Sequence, residues 1–434
     1  MSLLSSDTLL NQHSYYEAST RRLVHGEPLV DDVRADVVVI GAGFTGLTAA
    51  IDLAEQGLQV VVLEADRIGS GASGRNGGQA LVGFASGQAE LEQQLGLADA
   101  KRAWDISLDA VALLKERLNQ HAIDADWRSG ALTVATTARK ARALRADADQ
   151  WATRYGFETQ WLDAPALSQH ILSPRYQGGI HEEVSGHLHP LKYALGLAQV
   201  ARSLGVRMHE HSAALSLDSG PPALVRTATG SVTADFVVLA ANSTLGAWSP
   251  RIAPAMHARI MPVGTYIAAT PPLSEAQAHD TLPSCSAVCD TQFVLDYFRL
   301  SADRRLLFGG RVSYTTMTPP GLKGLMQKRI AQVFPQLGRM PIDYLWGGFV
   351  DISMNRAPDW GRLAPHVYYA QGFSGHGVAL TGMAGRLIAQ AIQGQASGFD
   401  LFARLKHRPF PGGPLWRTPL LALGMAYHRM KDWF

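Results

Sequence analysis

Apolar positions along this chain form short continuous runs and helical stripes at both ends, with a differently patterned middle. Residues 36–40 and 59–63 are almost unbroken apolar runs, the pattern of strands buried on both faces of a parallel sheet. Between them Leu47, Ala50, Ile51 and Ala54 fall on one helical face, and the helix is predicted to stop near Gly57. Helical spacing dominates 90–154, for instance Trp104, Leu108, Val111 and Leu114, and is renewed over 138–155. Between these helices 130–136 (GALTVAT) reads as a strand. Residues 186–204 begin with His187, His189 and Pro190 and then turn helical, and strands are predicted near 206–209 and 223–227. Residues 231–242 run through four apolar positions into a small-residue turn, which suits a buried strand returning to the first sheet. From 250 to 349 the character changes to short alternating strands near 263–270, 294–300 and 305–313 among many prolines, as in a separate, mostly antiparallel sheet. Over 367–393 the order strand, glycine-rich turn, helix returns.

The expectation is therefore an α/β protein whose first domain is discontinuous, built from 1–90, 170–250 and 355–434. An α+β domain with a mostly antiparallel sheet takes 91–169 and 251–354. No internal repeat or low-complexity segment stands out.

The first turn carries the chemistry. Gly41, Gly43 and Gly46 form G-x-G-x-x-G between a strand and a helix. The first glycine allows the tight turn, the second lets backbone approach a pyrophosphate, and the third lets helix and strand pack closely. The helix N-terminus that follows offers amides and a positive dipole end to phosphates. The second strand ends at Glu64, eighteen residues beyond Gly46. A carboxylate there accepts hydrogen bonds from a ribose and repels a 2′-phosphate, so NADP is disfavoured. The complete strand–turn–helix–strand–acid unit defines a dinucleotide site far more firmly than the glycines alone.

Composition narrows the class without changing it. The 434 residues suggest about two or three domains. A net charge of +2 with scattered basic residues gives no case for nucleic acid. With 47% hydrophobic and 18% charged residues the chain reads as an ordinary globular protein, and the apolar stretch 37–54 is a strand, turn and helix, not a membrane span. The start of the chain lacks a signal-peptide pattern, and only Cys285 and Cys289 are present, read as free thiols in a loop, so a cytoplasmic location is expected. No His/Cys cluster suggests a metal. The segment 415–434 mixes Trp416, Leu420, Leu421, Trp433 and Phe434 with Arg417, Arg429 and Lys431; packing on its own protein is expected ahead of a membrane surface.

Two glycine-rich segments extend the site. Residues 67–79 (RIGSGASGRNGGQ) follow Glu64 and cannot form a helix or strand cheaply, which suits backbone that follows a flat ligand. The second is Gly372-Phe-Ser-Gly-His-Gly377, between a strand at 367–370 and a helix predicted near Val378. His376 is read either as a local cation or proton carrier or as a hydrogen-bonded structural residue, and His187 and His189 as structural. No second G-x-G-x-x-G unit provides a nicotinamide site, so electrons should enter from a small substrate.

Together these motifs resemble the amino-acid-oxidase superfamily of FAD enzymes, which includes glycine oxidase, sarcosine oxidase and D-amino acid oxidase. Within it the chain is most similar to the γ-glutamylputrescine oxidoreductases of bacterial putrescine catabolism. The residues that carry this are Ser14-Tyr-Tyr-Glu-Ala-Ser19, the run 67–79, Gly186-His-Leu-His-Pro190, Phe298-Arg-Leu-Ser-Ala-Asp303, residues 369–377 and Arg408-Pro-Phe-Pro-Gly-Gly413. The resemblance implies a Rossmann-type domain holding a noncovalent FAD lined by Gly41, Gly43, Gly46, Glu64, Arg75, Gly77 and Gly78. It adds the turn 240–242 and Trp248 as a further flavin-side stretch. The expected contacts also take in Phe44, Thr45, Ala65, Arg67, Ser73, Gly74, Asn76, Ala214 and Ala241. In the second cluster they take in Gly372, Ser374, Gly375, His376 and Gly377, whose helix-terminal amides would face negative charge on the flavin. No cysteine follows Cys289 and no histidine lies between Glu64 and Gln79, against a covalent flavin link.

Two departures from the family pattern concern the substrate. Glycine- and D-amino-acid-oxidase-like members place an arginine fork for the α-carboxylate shortly after a W-x-G-x pattern, where this chain has Val350 and Asp351 after Trp346, with Arg356 further on. The lysine of sarcosine-oxidase-like members falls about where Leu307 stands, which leaves open dioxygen or another electron acceptor. The expected reaction is oxidative deamination of a primary amine, a γ-glutamylated polyamine, with His376 as candidate catalytic residue and Tyr266, Phe298, Tyr314 and Trp346 as candidate pocket walls. The alternatives are a secondary amine or amino acid with a non-oxygen acceptor, and a flavin-binding protein without turnover.

Overall fold

The computed structural model describes residues 13–23, 25–313 and 318–412, so Tyr314 and the segment 415–434 lie outside the described residues. Its first sheet is centred on β1 (Asp32–Ile40), flanked in parallel by β2 (Val60–Leu63) and β4 (Ser231–Leu239). Beyond β2 lies β3 (Arg207–His209), and beyond β4 lies β5 (Val367–Gln371), both parallel. Residues Asp359–Ala364 extend the sheet antiparallel to β5, and Ala223–Arg226 pair with the first half of β4.

The sequence of β1 explains its central place. Val37 and Val39 point into one core with α1 (Phe44–Glu55), α2 (Leu97–Gln120), α3 (Pro190–Ser203) and α4 (Leu380–Ile392). Val38 and Ile40 point into a second core with Val61, Leu63, Val237, Leu245 and Met256. A strand covered on both faces needs apolar residues at successive positions, which is the run seen in the sequence. Gly46 lets α1 settle on β1, since a Cβ there would stand 1.9 Å from the Gly41 carbonyl oxygen.

The second sheet runs, from one edge, Tyr344–Ser353, Ile260–Pro272, Arg305–Ser313, Tyr297–Leu300, Ala287–Asp290, Arg128–Ala135, Gly178–His187 and Gln79–Ala80. Only the pair 287–290 with 128–135 is parallel. One face packs on the helix Leu322–Val333 through Phe298, Phe308, Met326 and Ile330.

Two placements depart from the expected division of the chain. Gly178–His187 was expected with the first domain and pairs instead with Arg128–Ala135, and Gln79–Ala80 pairs with Gly186–His187. We therefore place the return to the first layer near Pro190, where α3 begins, and not at 170. Cys289 lies in the strand Ala287–Asp290 and not in a loop; Cys285 precedes it.

Candidate active site

A deep cleft opens at the C-terminal ends of β1, β2, β4 and β5, the crevice where ligands bind in open α/β sheets. It encloses about 1210 Å³ including its open mouth. Of the expected residues, Gly41, Gly43, Phe44, Thr45, Glu64, Ala65, Ser73, Arg75, Ala214, Ala241 and Trp248 line it. Asn242, in the expected turn 240–242, lines it as well, and Asp66, Ser243, Thr244, Phe349, Phe373 and Thr381 also line it and were missed.

The first turn is shaped for a ligand. Gly41 has φ +109°, and a Cβ there would lie 2.7 Å from Ala240 O. The N-cap of α1 is Gly43, with no side-chain cap of its own, and the helix amides open on the cleft. Ser73 Oγ, from the long glycine loop, accepts the Phe44 N–H at 2.9 Å, and a Cβ on Gly43 would come within 2.8 Å of that oxygen. Glu64 closes β2, its oxygens accepting Ala42 N–H at 2.8 Å and Asp66 N–H at 3.0 Å. Burial pushes its carboxyl up to about 7 in spite of these bonds.

The other expected contacts stand behind the cleft wall. Arg67 pairs with Glu17 at 3.4 Å. Asn76 ties its own loop, donating to Ala72 O and Ser73 O and accepting Gly78 N–H at 2.7 Å. Gly74 permits a close turn, as a Cβ would meet Gly69 O at 2.2 Å. Gly77 and Gly78 are gripped from the second sheet: Arg299 donates from Nε to Gly77 O at 2.6 Å and from Nη2 to Leu188 O at 2.8 Å and Tyr16 Oη at 3.1 Å. Gly46 packs under the turn, as described above.

The second glycine cluster departs furthest from expectation. Gly372, Ser374 and Gly375 have φ of +78°, +54° and +89°. The Gly372 and Ser374 amides are already taken within the protein. The Asp351 carboxylate accepts the Gly372 N–H and, at 3.3 Å, the Phe373 N–H, while Asp351 O accepts Ser374 N–H at 2.9 Å and Phe373 O accepts His376 N–H at 3.0 Å. Gly377, whose carbonyl accepts Thr381 N–H at 2.9 Å, leads on to α4, which starts at Leu380 and not at Val378. His376 does not line the cleft; its ring Nε2 lies 2.9 Å from Val82 O, and burial holds its pKa below the ordinary value, so the imidazole is neutral at pH 7.

Among the described residues, the expected pocket walls Tyr266, Phe298 and Trp346 are core residues. Phe298 stacks on Phe308 with centroids 5.3 Å apart, Trp346 meets Tyr16 edge-on at 5.2 Å, and Tyr266 is 4% exposed. Trp346 still serves the site, donating its indole N–H to Arg75 O at 2.9 Å. Phe349, on the strand Tyr344–Ser353, and Phe373, in the second glycine cluster, line the cleft along with Phe44 and Trp248. Arg356 lies with its guanidinium 4.8 Å over the Phe293 ring, and Leu307 is buried in the core. His187 and His189 are structural: Nε2 of the first is 2.9 Å from Cys285 O, and Nδ1 of the second caps α3 by accepting Lys192 N–H. Burial pushes both down to about 3.

A glycine-turned strand, a helix N-terminus and a ribose-side acid on one crevice define a dinucleotide-dependent enzyme. The chain matches the model of the DAO family of FAD-dependent oxidoreductases over residues 36–391 and belongs to that family. It is 41% identical to the γ-glutamylputrescine oxidoreductase of Escherichia coli K12, over 96% of this chain and 98% of that protein. It is 40% identical to the probable oxidoreductase OrdL of Haemophilus influenzae, over 96% of this chain and 97% of that one. Glycine oxidase from Geobacillus kaustophilus shares the fold, with a TM-score of 0.71 at 22% identity over 86% of this chain and 99% of that one. The protein is thus an FAD-dependent oxidoreductase acting on amine donors.

The residues present fit that cofactor. A side chain at Gly41 or Gly43 would fill the crevice turn, the α1 amides lie where a diphosphate needs donors, and Glu64 stands on the ribose side.

Proposed function

We propose that the chain oxidises the primary amine of γ-glutamylputrescine, or of a related γ-glutamylated polyamine, with FAD bound noncovalently. Amine, dioxygen and water would give aldehyde, ammonia and hydrogen peroxide. The observation that carries this reading is the 41% identity sustained over 96% of the chain to a protein named for that substrate. The absence of an arginine at Val350 and Asp351 supports it, because the carbon next to the reacting amine of this substrate bears no carboxylate. Neither Cys285 nor Cys289 lines the cleft, as a noncovalent cofactor requires. Among the described residues no helix is long and apolar enough to cross a membrane, and two free thiols suit a cytoplasmic setting.

When bound, FAD supplies the hydride acceptor. The chain's residues must deliver a neutral amine to it. An alkylammonium has a pKa near 10.4, so deprotonation at pH 7 costs about 4–5 kcal/mol. Phe349 and Phe373 give that end of the cleft an apolar wall, and excluding water lowers the cost because burial disfavours the cation. His376, held neutral, remains the candidate for proton handling. His376→Ala is then expected to slow anaerobic flavin reduction by about tenfold or more; an unchanged rate removes His376 from the chemistry.

The deciding experiment mixes the holoenzyme anaerobically with γ-glutamylputrescine, free putrescine or a D-amino acid and follows flavin absorbance near about 450 nm. Bleaching by the glutamylated amine alone is the expected result. Bleaching by the D-amino acid, or by none of the three, would refute the substrate assignment. Admitting air to the bleached enzyme separates the acceptors: prompt recovery with peroxide supports dioxygen, and slow recovery points to another carrier.

A further inference from the structure

Asp351 lies on the edge strand Tyr344–Ser353 of the second sheet, 3% exposed, yet its contacts reach into the first layer. Its carboxylate accepts the Gly372 and Phe373 amides, and a hydrogen bond from the Asn242 side chain. Its main-chain oxygen takes the next amide, that of Ser374, at 2.9 Å, and Ser374 Oγ in turn accepts Ser353 N–H at 3.2 Å. Three successive N–H groups, with Gly372 and Ser374 in the left-handed region, form the kind of concavity that binds anions. Here its anion comes from the protein. The two loops so joined follow β4 and β5, and Asn242, Phe349 and Phe373, which surround Asp351, all line the cleft.

We propose that Asp351 is a positioning residue of the flavin site: its carboxylate fills the Gly372–Phe373 amide nest and clasps Asn242, fixing from the second sheet both loops that close the redox end of the cleft. Burying a carboxylate is costly, and three donors compensate it only while the loops keep this geometry. A hydrophobic residue would avoid burying the charge, but it would leave the amides unpaired and the loops free to shift.

The charge state belongs to the same device. Burial pushes the Asp351 carboxyl up to about 7, against the lowering effect of the Gly372, Asn242 and Phe373 bonds. The other titratable or charged groups on the elements packed around it are His376 in the same loop, Asp359 beside Gly372, Arg75 against Gly348 and Arg356 in the turn after Ser353. Of these, burial holds the His376 pKa below its ordinary value.

The test uses holoenzyme and does not depend on the amine. Asp351→Asn keeps the shape but turns one acceptor into a donor facing amides. Its FAD dissociation constant is expected to rise by about tenfold or more, with a changed visible circular dichroism band of the bound flavin. In the wild type that band and FAD affinity should change across roughly pH 5.5–8.5, binding weakening as the carboxylate takes its proton on the acid side. The midpoint is expected near 7; because Glu64 in the same cleft titrates in the same range, the comparison is made in a Glu64→Gln background, where the transition should persist and then be lost on adding Asp351→Asn. A merely structural role would lower the melting temperature and leave the flavin spectrum and affinity alone. A variant binding FAD within about twofold of wild type with an unchanged spectrum overturns the proposal. If the variant does not fold, a wild-type spectrum invariant across the same range overturns it as well.

Discussion

Glu64 is asked to be an acceptor in a partly buried position at the base of the cleft, and its energetics follow from that. The folded carboxyl titrates at about 7, above the ordinary 4.5 of the unfolded chain. Between these values the folded state binds more protons, so this group's contribution to stability falls as pH rises and is constant above about 7. Glu64→Gln removes the titration. The difference in unfolding free energy between variant and wild-type apoprotein should therefore move in the variant's favour by up to about 3 kcal/mol from pH 4.5 to 8. Denaturant melts at several pH values measure it, and a difference flat with pH would show that Glu64 is not buried as described. Gly46→Ala is a sharper change. A Cβ 1.9 Å from Gly41 O forces α1 off β1 at the turn. It should cost about 1–3 kcal/mol and abolish FAD retention on gel filtration, whereas Gly57→Ala, with no atom within 4 Å, should retain it. Such glycines are legible in sequence because their demand is local. Asp351 and Arg299 were not, since each acts on a loop far away in the chain; the only sign was a lone acid in an otherwise apolar strand, YLWGGFVDIS.

Helices α1, α2 and α4 are tied by charge as well as by packing. Arg117 on α2, with its side chain 2% exposed, reaches Asp52 on α1 at 2.5 Å, and Arg386 on α4 bridges Asp52 at 3.4 Å to Glu116 at 3.6 Å. Removing one partner of a buried pair leaves a charge without compensation. Arg117→Leu should cost about 3–5 kcal/mol, and Asp52→Leu with Arg117→Leu should recover part of it; thermal melts of the two variants decide. Element type was readable from periodicity where the pattern was strong, as at the strand of 130–136 and the helix of 138–155, but the strands Gly178–His187, Ala287–Asp290 and Tyr344–Ser353 and the helix Leu322–Val333 were not foreseen. Which sheet a strand joins was not readable either. Gly178–His187 carries Glu182 and Glu183 outward and His181 inward, a half-covered strand that either layer could have accepted.

At the scale of the molecule, the cleft draws walls from both layers: the first turn and glycine loop on one side, Phe349 from the second sheet on the other. A ligand seated there bridges them, so FAD should raise the stability of the whole chain and not of one layer. At a free concentration a hundredfold above its dissociation constant the gain is about 2.7 kcal/mol. A single melting transition that climbs with FAD is expected; two transitions, of which one climbs, would show the layers to be independent. The strand order carries a consequence for synthesis. β1 is made early, but its neighbour β4 comes from Ser231–Leu239, and β5 and the loop at 372–375 come later still. On the ribosome the nascent chain therefore spends nearly half of its translation with its central strand unpaired on one side, a window in which chaperones compete with self-association. The cofactor, whose crevice is closed by the last of these segments, can join only when nearly all of the polypeptide has emerged.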